Sequence, residues 1–155
     1  MRPVFTIGYE KTSQAEVIAA LQAAGVARVI DVRDRPLSRR AGFSKRQLQA
    51  GLEQNGIGYV HLQALGTPPE GREANRQRDW KRFWRIVEAK LETQEAEHAL
   101  EQAAALAAAA LAAEAPSCLL CYEADWRICH RRRVAALLAE RHGFAVTHLA
   151  AAQPF

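Results

Sequence analysis

The feature that most restricts this sequence is the alternation of short apolar runs with longer segments of helical spacing. Val4–Gly8, Val26–Val32, Ile57–Leu62, Cys118–Cys121 and Phe144–Leu149 read as strands. Ser13 opens the first intervening helix, with Glu16 at the capping-box position and Val17, Ile18 and Leu21 as its buried stripe; Gly25 closes it. Ser44 caps a second helix that presents Leu48 and Leu52 and stops near Asn55 and Gly56. Trp80, Phe83, Trp84, Val87 and Leu91 fall three and four residues apart, so 79–91 reads as an amphipathic helix with the aromatics as core anchors. An alanine- and leucine-rich helix over Gln94–Glu114 stops before Pro116, and a last helix carrying Val134, Leu137 and Leu138 ends at Gly143. Strands separated by helices require right-handed crossovers and hence a mostly parallel sheet of about five strands. The expectation is one three-layer α/β domain over residues 1–155. Its second strand is apolar enough to be covered on both faces.

One stretch breaks the alternation. LGTPPEGREANRQ has two prolines, two glycines and no apolar period, so about 65–78 reads as a flexible surface loop. Composition excludes several other architectures. A chain of 155 residues buries roughly two-thirds of its surface and needs no metal or disulfide for a core. With 49% hydrophobic and 25% charged residues it is not a disordered chain, and no apolar run suits a membrane span or a signal-peptide core. Cys118, Cys121 and Cys129 are odd in number and make a poor disulfide framework, so a reducing, cytoplasmic setting without membrane partners is expected.

The net charge of +4 is unevenly spread, and 17 of the 21 basic residues are arginine. Two arginine-rich segments directly follow strands. The first holds Asp31, Arg33, Arg35, Ser38, Arg39 and Arg40; the second is CYEADWRICHRRR. Ligands of parallel sheets sit beyond the carboxyl ends of strands, so these segments are expected to frame one cleft. Arg33 and Arg39 offer rigid forks for a carboxylate or phosphate, with Asp31 orienting a fork and Ser38 and Arg131 as further contacts. Tyr9 follows the first strand and His61 ends the third, so both can wall the cleft. The expected partner is an anionic small molecule, with nucleic acid as a second possibility; no interleaved aromatic platform favours it.

Four residues of the second segment carry reactive chemistry: Cys121, Glu123, Cys129 and His130. Cys121 and Arg127 have the C-x5-R spacing of an oxyanion-binding loop, yet no glycine lies between them and two acids do. Cys129 and His130 read as the start of the last helix, where free N–H groups favour a thiolate. His130 suits acid–base work, with Glu123 orienting its ring. The same residues are eligible metal ligands, but no second correctly spaced pair supports a site, so no metal is assigned. Cys118 reads as a small buried hydrophobe and His148 as a packing or surface residue. Neither a dinucleotide fingerprint nor a phosphate-binding P-loop is present, and no cofactor is assigned.

FTIGYEKT, VIDVRDRPLSRRAGFSKRQL, GIGYVHLQALG, LLCYEADWRICHRRRVAALL and VTHL together resemble the domain of unknown function 488 family. The resemblance implies a compact α/β domain with a parallel sheet. Its characteristic residues fall on Asp31, Arg33, Pro36, Ser38, Phe43, Cys121, Glu123, Cys129, His130 and Arg131. The family's Gly-His-Ser after the first strand is replaced by Gly8, Tyr9 and Glu10, so a mechanism using that histidine and hydroxyl is not implied for this chain.

Overall fold

Side chains alternate across a strand, so each buried strand must feed two cores. A computed structural model describes residues 2–151. Its strands are β1 (Arg2–Gly8), β2 (Arg28–Asp31), β3 (Gly58–His61), β4 (Ser117–Cys121) and β5 (Phe144–His148). They form one sheet in the order β3-β2-β4-β1-β5, and every pairing is parallel. The α/β architecture expected from the sequence is therefore present.

Helices α1 (Gln14–Ala23) and α2 (Lys45–Gln54) cover one face. Val17, Leu21, Leu48 and Leu52 pack there against Ile7, Val29, Cys118 and Leu120. The other face carries α4 (Trp80–Leu91), α5 (Gln94–Ala112) and α6 (Arg131–His142). Phe83, Leu100 and Val134 meet Val4, Ile30, Leu119 and Cys121 on that side. The odd spacing of Cys118 and Cys121 thus sends their side chains to opposite faces of β4, so the C-x2-C pair cannot chelate a metal. The small alanines of α5 (Ala96, Ala99, Ala103, Ala104 and Ala107) are buried in this core. No helix among the described residues is long and apolar enough to cross a membrane.

The segment expected as a loop contains a further helix, α3 (Pro69–Arg76). Pro68 supplies an extended entry, Pro69 occupies the first turn, where its missing N–H costs nothing, and Glu70 favours the positive helix end. The helix buries only Gly71 and Ala74, with Gly71 against Thr67 and Ile86. Packing through small residues leaves no large apolar stripe in the sequence, so periodicity could not reveal it. Pairing of β2 with β3 and β4 is shorter than the apolar runs suggested: Val26, Val32, Ile57 and Leu62 are apolar because they are buried, yet they lie just beyond the ladder.

Strand order decides where a ligand can sit. The chain leaves β2 toward the β3 edge, while it leaves β4 toward the opposite, β5 edge. Loops diverging from adjacent parallel strands open a crevice above the sheet. Asp31 of β2 lies beside Leu120 of β4 in register, so the two arginine-rich segments emerge side by side.

Candidate functional site

The segment after β2 is held by a buried ion pair. Arg33 Nε donates to Asp31 Oδ1 at 2.9 Å and its NH2 group to Oδ2 at 2.7 Å. The remaining nitrogen donates to the Tyr9 hydroxyl at 3.1 Å and the Phe43 carbonyl at 2.7 Å. Burial works against the Arg33 charge, but Asp31 outweighs it and its pKa is raised. Tyr59 donates its hydroxyl to Asp31 Oδ2 at 2.6 Å, and burial together with Asp31 holds that phenol well above its usual range. The sequence points to Arg33 as a ligand clamp, working through its fork. The fork is instead filled by Asp31, and the guanidinium forms the cleft wall with Tyr9 stacked on Phe43 behind it. His61 faces this same backbone, its Nε2 2.6 Å from the Arg33 carbonyl.

The segment after β4 is organised by Arg131, the largest fully buried side chain. Its Nε donates to Thr6 Oγ1 at 3.1 Å, and its terminal nitrogens donate to the Glu123 and Ala124 carbonyls. Those bonds bend the chain back over the end of β1, where Gly8 leaves no side chain in its way. The sequence suggests a ligand contact for Arg131, but the side chain is fully buried and donates to Thr6 and to the loop's own carbonyls instead. Arg127 points outward and pairs with Asp125, so the C-x5-R spacing does not build an anion loop.

Thr6 also connects Arg131 to His148, whose Nδ1 lies 2.6 Å from Thr6 Oγ1. Accepting from Arg131 leaves the Thr6 hydroxyl its own proton to donate to Nδ1 of a neutral ring. Trp126 stacks on the same ring at a centroid separation of 4.1 Å. Burial first, then the charges of Arg131 and Arg127, pull the His148 pKa down from 6.5 to about 4. A depressed histidine pKa stabilises the folded state above the unfolded value, and that contribution is lost as pH falls toward the folded one. Wild-type urea midpoints should therefore fall more steeply between pH 6.5 and about 4 than those of His148→Gln. Parallel curves for the two proteins would contradict this assignment.

Cys121 ends β4 on the α6 side, and its Sγ lies 3.4 Å from His130 Nδ1. His130 is the N-cap of α6, at the helix start the sequence indicates, and its ring makes no capping bond. The ring is oriented not by Glu123, as the sequence suggests, but by the Val32 carbonyl, 2.8 Å from Nε2. A carbonyl can only accept, so Nε2 carries the proton and Nδ1 presents its lone pair to the sulfur. Burial lowers the His130 pKa, but the neighbouring Cys129, Glu123 and Val32 carbonyl outweigh it, leaving a net rise. Cys129 is fully buried, and burial followed by the Cys121 contact pushes its thiol up to about 12. Glu123 is pushed up to about 8, chiefly by burial and then by Cys129.

A cavity of about 540 Å³ lies above these groups. Cys121, Glu123 and His130 contribute to its floor, and Tyr9, Arg33, Ser38 and Arg39 line it as well; Asp31, Cys129 and Arg131 do not. The sequence reading missed Thr67, Arg72, Asn75 and Arg76, which line the side built from α3. Arg72 fixes that side to the β2 segment by donating to Asp34 at 2.7 Å and to the Thr67 carbonyl at 2.9 Å. The Pro-Pro-Glu helix start was the available signal for this wall. Exposed Leu37 and Tyr122 complete the mouth.

An open parallel α/β domain with a lined cavity at its strand-order switch is the class of protein that this geometry defines. The chain belongs to the family described as domain of unknown function DUF488, whose profile matches residues 13–138. That match includes both cleft segments but not Gly8 and Tyr9. No curated protein and no solved structure matches the chain significantly.

Proposed function

We propose that this protein binds a phosphate-bearing small molecule in the cavity at the carboxyl ends of β2 and β4. The observation that carries this reading is the charge of the lining: of its five arginines, Arg33, Arg72 and Arg76 are paired with Asp31, Asp34 and Glu73, and two more are left over. Arg35 and Arg39 are exposed at the mouth and form no ion pair among the described residues. Their donors are available to an incoming anion, unlike those of Arg33. Thr67, nearly buried in the wall, has a hydroxyl without a partner among the described residues. A volume of about 540 Å³ suits a metabolite or a single nucleotide.

Calorimetric titration with inorganic phosphate, pyrophosphate, a nucleoside monophosphate and a short single-stranded oligonucleotide tests the proposal. At least one small phosphate should bind, more weakly as salt rises, because the mouth is solvent-exposed. Arg35→Ala and Arg39→Ala should each weaken it by about tenfold, the loss of one charge-assisted contact. Unchanged affinity in both variants, or no binding by any probe, would overturn the reading. Binding by the oligonucleotide alone would replace the small molecule with a nucleic-acid end.

A second reading is favoured by the 3.4 Å contact between Cys121 Sγ and His130 Nδ1. A thiol beside a tautomer-fixed imidazole base can transfer its proton and attack an electrophile held above it. Selective alkylation of Cys121 by iodoacetamide at neutral pH, abolished in His130→Gln, is the expected signature of that chemistry.

A further inference from the structure

A thiol–imidazole pair needs two residues, yet three soft donors meet beneath the cavity. Cys121 reaches the cluster from the end of β4, and Cys129 and His130 from the entry to α6. Their ligand atoms all lie within 4.8 Å of one another. Tetrahedral zinc with bonds of roughly 2.3 Å to sulfur and 2.0 Å to nitrogen separates its donor atoms by roughly 3.5–3.8 Å. The 3.4 Å already found between Cys121 Sγ and His130 Nδ1 matches such an edge. Small side-chain adjustments would bring the third donor into the same shell.

We infer that Cys121, Cys129 and His130 form a zinc site whose fourth position faces the cavity. The tautomer of His130 is the strongest support. Its Nε2 proton is committed to the Val32 carbonyl at 2.8 Å, which leaves the Nδ1 lone pair for Cys121 Sγ at 3.4 Å, with the Cys129 sulfur within 4.8 Å. Histidine ligands of metals are ordinarily fixed in this way, by a carbonyl or carboxylate on the other ring nitrogen. The donor set selects the metal class: two thiolates and an imidazole suit zinc and disfavour calcium or magnesium. Cys129 is explained as well. It is fully buried and absent from the cavity lining, so it cannot meet a ligand, but it can hold a metal from behind. Zinc binding displaces the two thiol protons to solvent.

Three protein donors leave one coordination position for water or an oxygen of a bound molecule. That position lies on the side of Cys121 and His130 that lines the cavity. The Glu123 carboxyl stands 3.9 Å from Cys121 Sγ and lines the same cavity. The site does not depend on the cavity binding phosphate, and metal content is measured separately from anion affinity. It does exclude Cys121 as a free nucleophile in the metal-loaded protein.

The full chain, purified under reducing conditions without chelator, should contain one zinc per molecule by elemental analysis. Replacement with Co²⁺ should produce the strong thiolate-to-metal charge-transfer and tetrahedral d–d absorption of a two-sulfur site. Cys121→Ser and Cys129→Ser should each lose about 100-fold or more in zinc affinity in a chelator competition. Cys118→Ala, on the opposite face of β4, should keep wild-type affinity. The cobalt spectrum of the unmodified protein discriminates even if a cysteine variant fails to fold. Absence of zinc after reconstitution with excess metal, a cobalt spectrum without thiolate bands, or undiminished affinity in both serine variants would overturn the inference. So would rapid alkylation of Cys121 in the presence of saturating zinc, which would return the residue to thiol chemistry.

Discussion

Asp31→Ala should destabilise the protein by about 3–5 kcal/mol, read from urea denaturation, the cost of breaking a buried ion pair from one side. Asp31 is fully buried and Arg33 is only 4% exposed, so water cannot replace the lost carboxylate. The substitution strands two guanidinium hydrogen bonds, the Arg33 backbone N–H at 3.1 Å and the Tyr59 hydroxyl at 2.6 Å. Arg33 would have to leave the interior to regain solvation, and with it would go the contacts to Tyr9 and Phe43 that shape the cavity wall. Replacing both partners, with Asp31→Leu and Arg33→Met together, should recover part of the loss by removing the stranded charge. A loss below about 1 kcal/mol for Asp31→Ala, within the range of an exposed pair, would show that the pair is solvated.

Gly8→Ala should cost about 3 kcal/mol, at the upper end for an overpacked site, and should also disturb the cavity floor. A Cβ there would stand 1.8 Å from the Glu123 carbonyl oxygen and 2.6 Å from its carbon. Both are backbone atoms, so no rotamer change relieves the overlap. The loop must lift, and Arg131, which donates to that same carbonyl, would lose its grip on it. Glu123 carries the displaced carbonyl and Cys121 lies two residues before it, so the cobalt spectrum and phosphate affinity should change together with the urea midpoint. Wild-type stability and an unchanged cobalt spectrum would mean that the loop does not cross β1 this closely.

These two sites show how unevenly the structure could be read from sequence. Strand runs and helix stripes were visible because local periodicity reports burial directly: Val29 and Ile30, or Leu48 and Leu52, need no knowledge of their partners. Ser13 and Glu16 likewise form their capping box within four residues. The α3 helix escaped because it packs through Gly71 and Ala74, which leave no periodic apolar signal. The roles of the arginines were also hidden. Arg33, Arg39 and Arg131 look equivalent along the chain, yet one is locked by Asp31, one stands at the open mouth and one ties down loop carbonyls.

By itself, then, the sequence determined the alternation of strands and helices, the parallel sheet and the two polar segments that follow β2 and β4. Only the tertiary structure decided which arginines face solvent and that Cys121, Cys129 and His130 meet. Local patterns follow from each residue's preference for water or core. A hydrogen-bond partner such as the Val32 carbonyl, 98 positions from His130, is supplied only when separate strands are brought together in one sheet.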